Sequence, residues 1–289
     1  MTDTQATDQV SAPWGTRFFG FPVTRMVVAI LFIAVPFALV AWLLNLFVVD
    51  KGMRRVGALL LTAVVAGGYY AYVRLIERRE VTELARAGAA QELGTGLVVG
   101  ASLFCVTIGV LAAVGVYHVT GRNGWALMFA TVPGFVLGAV LEEIVARGII
   151  FRILEQWLGS WIALAVAAVI FGLLHLFNPG ATLLNAAAIS IEAGILLAAA
   201  FMATRRLWQC IGVHFAWNFT QGGIFSGAVS GGQQTGLLRG RMVGANWITG
   251  GAFGVEASMV AVLVCSAAGI ALLIAARRKG NIVQPFWAR

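Results

Sequence analysis

The sequence predicts an all-α polytopic membrane protein, a bundle of about eight transmembrane helices. Composition is the first reason. Hydrophobic residues make up 60% of the 289 positions and charged residues 11%, against roughly 25% charged in an ordinary globular domain. Mean hydropathy is +0.89. The second reason is that the apolar residues gather in runs of about 20, the length of one bilayer crossing. The third is that no ten-residue alternation of apolar and polar residues appears, which removes a β-barrel and leaves helices to satisfy the backbone in lipid.

The formal net charge of +8 does not point to nucleic acid. No basic block long enough for a nucleic-acid arm is present, and basic residues in a membrane protein collect in cytoplasmic loops and against anionic headgroups. Cys105, Cys210 and Cys265 each sit in an apolar run. An odd, scattered set makes no disulfide framework. Cys210 lies one turn before His214 and is read as a buried structural thiol.

Residues 1–25 read as a polar tail followed by an interfacial segment with Trp14, Phe18, Phe19 and Phe21 beside Arg17 and Arg25, residue types suited to headgroups. Residues 26–124 hold the N-terminal transmembrane helices. The first is expected over Met26–Val49, too long for a signal-peptide core and therefore retained. Lys51, Arg54 and Arg55 form a loop, and a second span covers Val56–Val73. The charged stretch 74–93 repeats Val81, Leu84, Ala85 and Ala89 at helical spacing, which predicts an amphipathic surface connector. The third span is Leu97–His118, closed by a turn at Gly121-Arg122-Asn123-Gly124.

Residues 125–225 hold the candidate catalytic core. A fourth helix runs from Trp125 toward Glu155, with Pro133 as a kink, and Gly159 breaks it before a fifth, Trp161–Phe177. Asn178-Pro179-Gly180 is a turn. A sixth span covers Ala181–Thr204 and a seventh Leu207–Phe225. Residues 226–289 contain a Gly-rich stretch, read as a partly ordered lid or gate, then a last span over Ala252–Ala276 and a basic tail. Lys and Arg concentrate in the segments holding Arg74, Arg78, Arg79, Arg205, Arg206, Arg277, Arg278 and Lys279. By the positive-inside rule both termini are cytoplasmic, in the plasma membrane.

Three polar constellations interrupt the apolar core: Glu142-Glu143-Ile-Val-Ala-Arg147, Phe171-Gly-Leu-Leu-His175 and His214-Phe-Ala-Trp-Asn218. Ionisable groups inside spans are expensive and mark function by default. At roughly 1.5 Å per residue, Glu142 lies about 15 Å, His175 about 24 Å, His214 about 12 Å and Asn218 about 18 Å from the cytoplasmic helix ends, one overlapping layer. His214 and Asn218 share a helix face, as do Phe171 and His175. Glu142 and Glu143 point about 100° apart. Glu143, four before Arg147, is suited to pair with it, which leaves Glu142 for the cavity and makes the pair structural. A carboxylate base, an imidazole to hold water, and amide and imidazole donors for an oxyanion are the inventory of peptide-bond hydrolysis. Glu192, in mid-span, is open: it lines the cavity, pairs with an arginine or stays protonated. His118 is interfacial.

These three motifs, EExxxR, FxxxH and HxxxN, resemble those of the CAAX protease and bacteriocin-processing family, whose members are intramembrane endopeptidases of eight helices. The likeness covers Trp125–Phe225, and His175-Leu-Phe-Asn-Pro-Gly180 resembles bacterial members. By that resemblance Glu142 and His175 activate the water, and His214 with Asn218 forms the oxyanion site. Glu143, Arg147 and Phe171 support them. The implied partners are a membrane-associated peptide or protein and the bilayer. A metal stays open: Glu142, His175 and His214 are the residues that would hold zinc, but the H-x-x-x-H pair of many zinc proteases is missing, which favours metal-free glutamate chemistry. The competing class is a transporter or scaffold whose intramembrane charges serve as an ion path or structural pair, although no internal repeat of the transporter kind is evident.

Overall fold

A computed structural model describes residues 21–289. The expected tail and its Trp14, Phe18 and Phe19 lie outside the described residues. Among the described residues, six helical runs are long and apolar enough to cross a membrane. Helix α1 (Pro22–Phe47) opens on its proline, whose missing N–H is unneeded there, and α2 (Lys51–Leu75) opens on Asp50, which accepts from the Met53 N–H at 2.8 Å. Lys51, Arg54 and Arg55 therefore form the first turn of α2 rather than a loop. The two helices touch at backbone distance, since a Cβ on Gly68 would lie 2.5 Å from the Phe32 carbonyl.

The stretch 74–93 is not an amphipathic helix. It is a loop with one 3₁₀ turn at Thr82–Leu84, after which α3 (Ala89–Ala113) begins. The reason is that its charges turn inward. Glu77 binds Arg25 at 2.7 Å, Arg79 at 2.7 Å and Arg152 at 2.9 Å, while Glu83 binds Arg79 at 2.7 Å and Arg152 at 3.3 Å. This ionic knot ties α1 and the connector to the helix that carries the first motif. Burial alone would raise the Glu77 carboxyl, but Arg152, Arg25 and Arg79 hold it down at about 2.

The third span starts and ends earlier than expected, and residues 117–122 form strand β1 (Tyr117–Arg122) in place of the helix end and turn. It pairs antiparallel with β2 (Leu238–Met242), Tyr117 opposite Met242 and Arg122 opposite Leu238. The Gly-rich stretch is thus a folded cap with a two-stranded ribbon and a short helix at Asn246–Thr249. His118, on β1, is exposed.

The longest apolar helical run, Trp125–Phe177, has 53 residues, about 80 Å if straight, far beyond the roughly 30 Å hydrocarbon core. It turns back at Gly159, whose φ of 75° only glycine adopts cheaply, and makes two crossings. Its parts are a short helix at Trp125–Ala130, α4 (Val132–Glu143), a π-helical turn at Ile144–Phe151, α5 (Arg152–Leu174) and a 3₁₀ turn at His175–Phe177. Pro133 lies in the first turn of α4 and starts that helix instead of kinking it. The next crossing is α6 (Leu183–Ile189), a π turn at Ser190–Ile195 and α7 (Leu196–Thr204). Helix α8 (Leu207–Asn218) runs into a third π turn at Phe219–Ile224, a helical run beyond those six, and α9 (Met259–Arg278) is the last span. That last helix starts seven residues later than expected, because residues 250–258 belong to the cap.

Helix α8 is seated by glycines. A Cβ on Gly96 would lie 2.4 Å from the Gln209 carbonyl, and one on Gly100 2.2 Å from the Val213 carbonyl. Small residues at this spacing let helix backbones meet in a membrane. Val213 precedes His214, so this contact locates the third motif.

Candidate active site

Glu142 and Glu143 close α4, His175 follows α5, and His214 and Asn218 lie on α8. The fold brings them to one cavity. Glu142, His175, His214 and Asn218 line it together with Phe171, Glu192, Trp217, Ser230 and Glu256. Its water-accessible volume is about 40 Å³, room for a few waters at roughly 10–15 Å³ each. A wider cavity of about 310 Å³, walled by Leu141, Val145, Ala146, Leu174 and Asn178, shares Glu142, Phe171 and His175 with it. Residues of all three motifs thus meet at one cavity.

Each imidazole is held from behind. His175 Nδ1 lies 2.8 Å from the Phe171 carbonyl. A carbonyl only accepts, so Nδ1 carries the proton and Nε2 presents its lone pair. His214 Nδ1 lies 2.8 Å from Glu143 Oε1 and donates to it. Both Nε2 atoms then face one oxygen, Glu142 Oε2, at 3.8 Å from His175 and 3.9 Å from His214. These gaps are too long for hydrogen bonds and short enough for a bridging water. Glu142 Oε2 makes no hydrogen bond to protein.

Glu143 differs from its expected role. Its Oε1 does meet Arg147 at 3.0 Å, as the spacing predicts, but the same oxygen also receives the His214 proton. The pair is therefore not merely structural: it sets the ring of His214. Sequence spacing exposed the helical contact and could not expose the one between helices. Arg147 is spent on further contacts, donating to the carbonyls of Ala193 at 3.0 Å and Gly194 at 3.2 Å and lying 4.4 Å over the Phe171 ring. Those carbonyls belong to the π turn of the sixth crossing. Each of the three π turns lies beside a site residue, where such irregularities are often found.

The remaining candidates divide cleanly. Cys210 donates its thiol to the Leu197 carbonyl at 3.4 Å and does not line the cavity. Glu192 does line it, and so does Glu256, which sequence reading passed over. The available signal was that Glu256 fell inside the expected last span, where an acid is expensive.

With this arrangement established, likeness to known proteins is informative. Residues 123–220 match the family model described as "Type II CAAX prenyl endopeptidase Rce1-like". The site-bearing segment is similar to the Rce1-like family. The matched residues include every motif residue from Glu142 to Asn218, and the Rce1-like segment stops before the Gly-rich cap that supplies Ser230 and Glu256. No curated protein and no solved structure matches the chain.

Proposed function

We propose that this chain is an intramembrane endopeptidase that hydrolyses a peptide bond of a membrane-associated protein or peptide. The observation that supports this reading is the meeting of Glu142 Oε2 and the two imidazole Nε2 atoms around a gap of water size. A water there donates one O–H to Glu142 and the other to His175, which turns its lone pair toward a substrate carbonyl. As its oxygen bonds to the carbonyl carbon, the proton passes to Glu142. The C=O electrons move onto oxygen. Asn218 donates to that oxyanion from the turn above His214, and His214, with Glu143 behind it, can carry both ring protons and give the Nε2 one. On collapse the C–N bond breaks and Glu142 returns its proton to the leaving nitrogen.

Glu142, His175 and His214 are also the residues that would hold a zinc ion. Ligands about 2.0–2.1 Å from zinc stand roughly 3.3 Å apart in a tetrahedron, closer than these atoms do. Among the described residues no group of three or more His, Cys, Asp or Glu is arranged to hold a metal. The set does not fit as it stands, and no step runs through a metal. The arginine distribution supports cytoplasmic termini. The test is incubation of the purified protein in nanodiscs with a library of membrane-tethered peptides, read by mass spectrometry. New peptide termini support the endopeptidase; intact peptides alongside ion or solute flux in proteoliposomes favour the transporter.

A further inference from the structure

Glu192 has no part in the reaction above, yet it lines the same cavity as Glu142, His175 and His214. It sits in the π turn midway along the sixth crossing and is 3% exposed. Among the described residues its one hydrogen bond comes from the Cys265 thiol to Oε1, at 3.4 Å, a weak donor. Oε2 makes no hydrogen bond to protein among the described residues, and the side chain lines the cavity, so a partner from outside the chain can reach it.

Glu256 lines the cavity from the cap, on the short helix Val255–Ala257, within electrostatic reach of Glu192. It accepts from the Gln221 amide and the Ser230 N–H. Among the described residues neither acid has an arginine or lysine partner. Arg147, which lies within electrostatic reach of Glu192, is committed to Glu143 and to the Ala193 and Gly194 carbonyls. The cavity therefore holds Glu142, Glu192 and Glu256 with no arginine or lysine to spare. A buried acid without a counter-ion keeps its proton, and an incoming cation stabilises its ionised form.

We propose that Glu192 and Glu256 form a cation-accepting subsite that takes a lysine or arginine side chain of the peptide being cut. The subsite rests on the endopeptidase reading, which gives the cavity a peptide to hold. If instead Glu192 only ties its helix to α9 through Cys265, the cavity will not distinguish a basic side chain from an apolar one of equal length.

The test measures binding without turnover, using the full chain carrying Glu142→Gln in nanodiscs. The probes are acetyl-Leu-Leu-Lys-Leu-Leu-amide and its counterpart with norleucine at the centre. A charged hydrogen-bonded contact predicts about tenfold or more tighter binding of the lysine peptide. Adding Glu192→Gln should reduce that ratio to about twofold, and Glu192→Asp should restore part of it. Glu256→Gln should act in the same direction, with thermal unfolding checking its fold because Glu256 carries two hydrogen bonds. No lysine preference with the wild-type acids in place, or one that survives Glu192→Gln, overturns the subsite. Cleavage of the peptides by the otherwise unaltered protein is scored separately. A lysine preference without any cleavage would leave the subsite standing and remove the endopeptidase reading.

Discussion

Glu143 offers the sharpest separation of roles, because one oxygen serves both Arg147 at 3.0 Å and His214 at 2.8 Å. Glu143→Gln leaves the Arg147 guanidinium buried without its counter-ion, which costs about 3–5 kcal/mol of stability. It also removes the anion behind His214, an effect comparable to losing an oxyanion donor, about 10²–10³ in kcat. These losses can be pulled apart. Glu143→Gln with Arg147→Met removes both charges and should recover most of the stability, because a buried pair replaced by neutral groups is often close to neutral overall. Activity should not return, since His214 still lacks its carboxylate. The assays are thermal unfolding in detergent and initial rates on a cleavable membrane-tethered peptide, combined as a double-mutant cycle. Recovery of rate together with stability in the double variant would refute the positioning role and return the pair to pure structure.

Three further outcomes follow from the fold. Gly100→Leu places a side chain where a Cβ already falls 2.2 Å from the Val213 carbonyl, so thermal unfolding should show a loss of at least about 1–3 kcal/mol, and activity should fall with it as His214 moves. Glu77, held at about 2 against an ordinary 4.5, binds fewer protons folded than unfolded. Its stabilisation is present above about 4.5 and is lost as pH falls toward 2. Melting temperature against pH should therefore drop less steeply there in Glu77→Gln, which starts from a lower plateau. Incubation with EDTA and then with added zinc should leave the cleavage rate within about twofold of its starting value, because no step uses a metal; loss on chelation with recovery on zinc contradicts that.

Much of this was legible in the sequence. Apolar run length and the breaks at Gly159 and Pro179 locate the crossings because the bilayer imposes one length on every helix. The motif residues were legible because an acid or imidazole in an apolar run is too expensive to be kept for packing alone. Contacts between distant segments were not. The inward turn of Glu77 and Glu83 depends on Arg25 and Arg152, more than 50 residues away in the chain, so their helical periodicity suggested a surface helix. The β1–β2 ribbon joins residues about 120 apart, beyond any local pattern. Glu143 shows the limit most clearly: its spacing to Arg147 was readable, while its bond to His214 spans 71 positions.

The account depends on Glu142 as the base that takes the proton of the bridging water. Its most direct measurement is the cleavage rate of Glu142→Gln at matched expression and melting temperature, because the amide keeps the shape and loses the base. The predicted result is a fall of about 10²–10⁴ in kcat, with peptide binding retained. A rate within a few-fold of the unaltered protein would contradict the account and take Glu142 out of the chemistry.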